Sequence, residues 1–497
     1  MNNSDYLSDC LIDKEYITIK RVLEKTVEIV LVKTGIQHRF SMARKKRLPR
    51  RRANSINFTE GPILKNVVLF ALPLLLMNLI FQLYCVLDLI IVSNYCGTDA
   101  MAAIGATAYI SQMISGLALG VSTGCSVITA QAWGAGNFDR LYKTVHSGYA
   151  TAFAVGAALS ALGVFLARPL LTLIGTPADV LGDATSYLQV YMISTLPVLV
   201  YNMGAGILRG VGDTRHPFLF MTITVILNLG LDLLFVGVFK WGIIGAASAY
   251  VVAQIVSAVL VTASLMMSHE PFRLFLRDIA FHKEVLTPTI KLGVPAGLQS
   301  CVMSLSNVFV QSNINAFGKQ AIAGLVAANR LDGFVFVIIN GLTLTAMSFM
   351  SSNIGAQKKE RAKKGLVRII LFSIAVVLGH AVLLLLVRYP LLRLFSTDRK
   401  VMHYASITMF YVLLPYVLFL ISEILGATLR SAGQSVLPMI VTMGMAAVRV
   451  IWILAVLPIF KTFDVLVMNY SVSWVAALIF YQVYYKRRGD RIFERQI

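Results

Sequence analysis

Long apolar stretches punctuate this chain near residues 66–94, 102–130, 145–174, 184–208, 216–239, 243–267, 289–316, 322–350, 366–391, 403–428, 436–459 and 465–485. Each is as long as the roughly 20 residues a helix needs to cross hydrocarbon. Polar residues collect in the segments between them, where Gly, Lys and Arg recur. Inside a bilayer the backbone finds almost no water, so every such stretch must satisfy its own N–H and C=O groups as an α-helix. The two-residue alternation of a membrane β-barrel is absent. The pattern predicts an all-α integral membrane protein with twelve transmembrane helices.

The second half of the pattern repeats the first. Leu208-Arg209-Gly210 returns as Leu429-Arg430-Ser431, 221 positions later (430 − 209). The same offset takes Gly97 to Gly318, Ala100 to Ala321, Gly134-Ala135 to Gly355-Ala356 and Asp139-Arg140 to Glu360-Arg361. A constant offset over so long a span marks a duplicated unit. Duplicated membrane units build many secondary transporters. The expected organisation is a basic cytoplasmic extension over 1–57, an N-terminal six-helix lobe over 58–272, a C-terminal six-helix lobe over 273–485, and a basic cytoplasmic tail over 486–497.

Composition agrees: 57% of residues are hydrophobic and 14% charged, whereas a soluble domain carries about a quarter charged. The net charge of +20 would suit nucleic acid, but its distribution points to a membrane. Taken alternately, one set of loops holds Arg140, Lys143, Arg209, Arg215, Arg273, Arg277, Lys358, Lys359, Arg361, Lys363, Arg430, Lys486, Arg487, Arg488, Arg491 and Arg495, among others. The other set holds only Arg168, Lys240, Lys319, Arg388, Arg393, Arg399, Lys400 and Lys461. Positive charge stays cytoplasmic, which puts both termini in the cytoplasm and the chain in the inner (plasma) membrane. The partners expected are membrane lipids and small molecules, not nucleic acid. The five cysteines, Cys10, Cys85, Cys96, Cys125 and Cys301, show no paired spacing and read as packing residues. The first 57 residues lack a signal-peptide pattern. The basic run 42–52 reads as a topogenic cluster or a lipid-binding segment, and Met42 is a candidate alternative start.

Phe58-Thr59-Glu60-Gly61-Pro62-Ile63 leads into the first span, which carries Leu72-Pro73 and Asp88. Gly134-Ala135-Gly136 follows the second span and Leu208-Arg209-Gly210-Val211-Gly212-Asp213-Thr214 the fourth. With these motifs in this order, the chain resembles the multidrug and toxin extrusion (MATE) family, in its bacterial branch, over residues 58–485. The resemblance implies cation-coupled efflux, driven by Na⁺ or H⁺ with no other cofactor, through two six-helix lobes facing a central cavity.

A carboxylate at mid-bilayer costs about 2.5–3.5 kcal/mol on insertion scales, so intramembrane acids call for an explanation. Asp88 lies on the first span, Asn202 on the fourth, and Asn228 and Asp232 on the fifth. The last two, at i and i+4, share a helix face. All four offer oxygen ligands suited to Na⁺, and two neighbouring acids also suit uptake of a shared proton. Alternatively, the group is a hydrogen-bonded cluster that locks helices together. These positions resemble those the family assigns to cation coupling. Its frequent sixth-helix Thr is absent here, with Tyr250 in that place and Ser248 nearby. Adding 221 takes Asn202 to Glu423 and Asn228 to Arg449, which predicts a buried Glu423–Arg449 ion pair in the second lobe. The family's occasional seventh-helix acid has no counterpart in Gln299-Ser300-Cys301-Val302-Met303. Asn78, Gln82, Gln299, Asn307 and Gln311, with Asn315 in the same stripe, are candidate cavity-lining residues or helix-to-helix hydrogen-bonding groups. Arg330 and Asp332 are expected to pair locally, and His380 to be satisfied by a neighbour.

No Walker loop and no nucleophile–base pair stand out, which argues against ATP driving and against an enzyme. The function expected is antiport by alternating access, exporting drugs or other small, cationic organic compounds from a monomer. The alternative is a lipid-linked oligosaccharide flippase of the same wider superfamily.

Overall fold

Each apolar stretch becomes a helix in the computed structural model, which describes residues 55–493. Twelve helices are long and apolar enough to span a membrane: α1 (Ile63–Cys96), α2 (Ala103–Gly134), α3 (Phe138–Leu173), α4 (Ala178–Gly210), α5 (Arg215–Val238), α6 (Gly242–Met266), α7 (Lys283–Ile314), α8 (Lys319–Gly355), α9 (Lys359–Leu386), α10 (Arg399–Ser431), α11 (Val436–Phe460) and α12 (Phe463–Phe493). No strand occurs among the described residues. The basic run 42–52, Met42 and Arg495 lie outside them. Large apolar side chains face outward, with Phe165 at 80% and Leu173 at 82% exposure. A hydrocarbon surround makes that arrangement stable, since lipid tails are as apolar as these side chains.

Several helices begin earlier than the apolar pattern suggests. α3 starts at Phe138, not near 145, because its charged first turns are helical too. The Asn137 side chain accepts from the Arg140 N–H at 3.0 Å, an N-cap, and Lys143 bridges to Asp139 at 3.0 Å. α12 runs past 485 and buries Ile492 and Phe493.

The two lobes, α1–α6 and α7–α12, share irregularities at matched positions. The fourth helix of each ends in the same cap: Asp213 N bonds Leu208 O at 2.8 Å, and Gln434 N bonds Leu429 O at 2.9 Å. Gly212 (φ 93°) and Gly433 (φ 98°) take the left-handed conformation there, which a Schellman cap requires and glycine supplies without strain. This explains why glycine recurs at the repeat offset, as Gly212 and Gly433. α4 breaks at Ser194 and α10 at Leu414-Pro415. Pro415 cannot donate to the Tyr411 carbonyl, and Ser471 Oγ supplies that bond at 2.6 Å. The fifth helix of each lobe turns π-helical, over Leu233–Val238 and Trp452–Val456.

The lobes meet along two seams. α2 approaches α7 to backbone contact at Gly120 and Gly297, and α1 meets α8, where Asn78 Nδ2 donates to Val337 O at 3.2 Å. At the ends of α2 and α8 the contact is reciprocal: Gly134 lies against the Ser352 carbonyl, and Gly355 against that of Gln131. Gln131 Nε2 adds a bond to Ser431 O at 2.7 Å.

Each lobe also grips the lead-in of the other. Before α1, Ile56 N first bonds Gly212 O of its own lobe at 3.0 Å. Arg361 on α9 then donates to the carbonyls of Phe58 (2.9 Å), Glu60 (2.8 Å) and Gly61 (2.8 Å). Before α7, Phe275 N donates to His146 Nε2 at 3.0 Å and His282 N to Ser147 Oγ at 2.8 Å, both on α3. Arg361→Ala removes the three carbonyl bonds at a partly hydrated site. It is expected to lower stability by about 1 kcal/mol, seen as a lower unfolding temperature in detergent; an unchanged transition would deny the grip any weight.

Candidate functional site

Two acids meet inside the first lobe. The half-buried Asp88 of α1 lies with its carboxyl against that of Asp232 on α5, within hydrogen-bonding reach. Asn228, one turn before Asp232, donates from Nδ2 to Asp232 Oδ2 at 3.2 Å. Asp232 is 0% exposed, and its Oδ1 is buried with no partner. A buried oxygen with an unmet hydrogen bond costs about 1–3 kcal/mol, so it marks where a proton or cation gains most. The π-helical turn starts at the next residue, Leu233, and such turns concentrate at functional sites.

Tyrosines wall this pair. Tyr84 stands one turn before Asp88, and Tyr84 and Tyr187 lie within electrostatic range of both acids. Tyr191 stacks on Tyr250 of α6, ring centroids 5.0 Å apart and planes at 7°, and hydrogen-bonds both Tyr250 and Ser115. Tyr250 thus joins, from the sixth helix, the tyrosine cluster next to the acids. Only Tyr250 was singled out in the sequence. Tyr187 and Tyr191, at i and i+4, carry the one available signal, which ordinary aromatic packing shares.

Asn202 does not join the acids. Its Nδ2 donates to Val198 O of its own helix at 2.9 Å. The structure thus brings together three of the four expected residues.

The second lobe corrects an expectation: Glu423 and Arg449 are not partners. Glu423 faces Arg430, seven residues along the same helix, at 3.5 Å. Arg430 also donates to Gln299 Oε1 at 3.2 Å. Arg449 donates instead to Asn307 Oδ1 (3.0 Å) and Ser473 Oγ (3.1 Å) and lies 4.7 Å from the Tyr470 ring centroid. The expectation carried over an Asn202–Asn228 contact that the first lobe itself does not make.

The local pairing of Arg330 with Asp332 is also overturned. Residues two apart on a helix point to opposite sides. Asp332 hydrogen-bonds Tyr416, and Arg330 is exposed near Cys85 of α1. His380 Nε2 is buried without a partner, so no neighbour satisfies that atom. The candidate cavity residues stitch helices together in this conformation. Asn78 reaches Val337, Gln299 Nε2 donates to Thr442 at 2.6 Å, and Asn307 takes Arg449. Gln82 packs beside Gly333, and Gln311 is half-buried on α7.

Comparison with known proteins places this arrangement. The MatE family pattern matches residues 73–234 and 295–454, which lie on the first five of the six helices in each lobe. The chain is 26% identical over 392 residues to the probable multidrug resistance protein YoeA of Bacillus subtilis (strain 168), covering 77% of this chain and 84% of that protein. It is 28% identical over 358 residues to an FAD transporter of Shewanella oneidensis, covering 71% and 78%. A solved structure, the outward-facing conformation of a multidrug resistance MATE family transporter of the MOP superfamily, superposes with a TM-score of 0.80 at 20% identity, covering 88% of this chain and 99% of that one. With its twelve membrane-spanning helices in two repeated lobes, the chain belongs to the MatE family of multidrug efflux transporters.

Proposed function

We propose that this transporter is a cation-coupled antiporter that exports small organic compounds, cationic ones foremost, by alternating access. It would work in the plasma membrane with both termini cytoplasmic. The observation that carries this reading is the Asp88–Asp232 pair with the unpartnered Asp232 Oδ1. Two carboxyl groups within hydrogen-bonding reach of each other are suited to share a proton, which supports H⁺ as the coupling ion. Loading and unloading this pair changes the charge of the first lobe. A cation and an exported compound that prefer opposite-facing states then drive each other across.

The test is substrate efflux from vesicles under separately imposed gradients. An inward-directed proton gradient should drive export of a cationic dye while a sodium gradient at uniform pH does not. Export under sodium alone would make Na⁺ the coupling ion, and export under neither would end the antiport reading.

A further inference from the structure

The second lobe holds a cation of its own. The repeat offset takes Asn228 to Arg449, Asp88 to Phe309 and Asp232 to Ile453. The two acids of the first site are thus replaced by apolar residues and its amide by an arginine. The surroundings correspond helix by helix, though not residue by residue: at the repeat offset Asn307, Ser473 and Tyr470 fall on Val86, Val252 and Ala249. α7, α11 and α12 are the counterparts of α1, α5 and α6, which build the first site. Asn307 of α7, Arg449 of α11 and Ser473 of α12 close on one another at 3.0 and 3.1 Å. Each fifth helix also turns π-helical beside its polar residue, from Leu233 directly after Asp232 and from Trp452 three residues past Arg449.

Arg449 is 2% exposed and, among the described residues, pairs with no carboxylate. Its guanidinium lies over the Tyr470 ring. An acid, Asp332, lies one step away: it bonds Tyr416, and Tyr416 stands within electrostatic range of Arg449. Burying a charge this way is costly, and a well-packed apolar residue of similar size would often be as stable or more so. The charge therefore needs a reason other than packing.

We propose that the second lobe carries a permanently filled counterpart of the first lobe's cation site, with the Arg449 guanidinium as its tethered cation. The first lobe exchanges its ion in each cycle; the second keeps the packing of a loaded site throughout. Coupling is then confined to one lobe of a duplicated fold. This rests on reading the first site as a cation site, but the occupancy of the second can be tested without transport.

Removing the tether leaves a hole lined by Asn307, Ser473 and Tyr470 that a free guanidinium ion fits in shape and charge. The experiment measures thermal unfolding of the purified full chain as Arg449→Ala, with guanidinium, urea or sodium each at about 10 mM, enough to fill a site whose Kd is near 1 mM. Guanidinium should recover at least half of the lost unfolding temperature, with urea and sodium ineffective. Equal effects of guanidinium and its neutral isostere urea, or no recovery, overturn the proposal. Running the same series in Asp88→Asn separates the two readings, because recovery there does not depend on first-lobe coupling. Should Arg449→Ala not fold, Arg449→Lys must keep more fold and more transport than Arg449→Met. The reverse order, or loss of both, counts against a tethered charge.

Discussion

Asp232→Asn is expected to cut gradient-driven export at least tenfold, with the protein still folded and still in the membrane. Asn keeps the shape of Asp but cannot be charged. A tenfold loss corresponds to about 1.4 kcal/mol, less than a buried charge interaction with an ion normally contributes. Asp88→Asn should behave alike, because both carboxyls belong to one pair. Glu423→Gln is the matched control. That acid sits at a long 3.5 Å from Arg430, with side chains 26% and 9% exposed, Arg430 is also held by Gln299, and Gln keeps an oxygen that can accept from the same guanidinium. Export in Glu423→Gln should stay within a few-fold of the starting protein, measured in the same vesicles. If all three variants lose transport equally, the coupling does not reside in the first lobe. If Asp232→Asn keeps its coupling, the acid pair is structural.

The membrane class, the twelve spans and the repeat were legible in the sequence for one physical reason. Hydrocarbon imposes the same constraint on every crossing, so length and apolarity suffice. Asn228 and Asp232 were legible as a pair because helix geometry alone puts i and i+4 together. What side chains do across helices was not. Asn202 had two outlets, the acids or the carbonyl one turn back, and only packing decides between them. Glu423 found its base two turns along its own helix, a closer choice than Arg449. The tyrosine wall was hidden because an aromatic in an apolar span looks the same whether it packs or lines a site. Gln131 and Ser352 illustrate the converse: they are 221 positions apart (352 − 131), yet their partnership with Gly355 and Gly134 becomes visible only when the two lobes are assembled.

That reciprocal crossing leads to the second large effect. On the proposed topology this crossing closes the lobes on the cytoplasmic side, and Gly134→Val or Gly355→Val should break that closure and turn the population toward a state open there. Each substitution forces a branched side chain into a facing backbone carbonyl, where neither chain can give way without moving a whole helix. Overpacking of this kind costs about 1–3 kcal/mol, and the cost falls only on the state in which the two helix ends touch. An equilibrium between closed and open forms would then shift by roughly 5- to 150-fold. Ser431, 0% exposed and bonded through its carbonyl to Gln131, reports the change. A Ser431→Cys probe, in a background with the five native cysteines replaced, should react slowly with a membrane-impermeant thiol reagent supplied from the cytoplasmic side. Adding Gly134→Val should speed that reaction at least five-fold, while Gly379→Val on α9, where an added side chain meets nothing, should leave it unchanged. Equal labelling rates in the two would mean that the crossing rides along with the lobes and does not hold them shut.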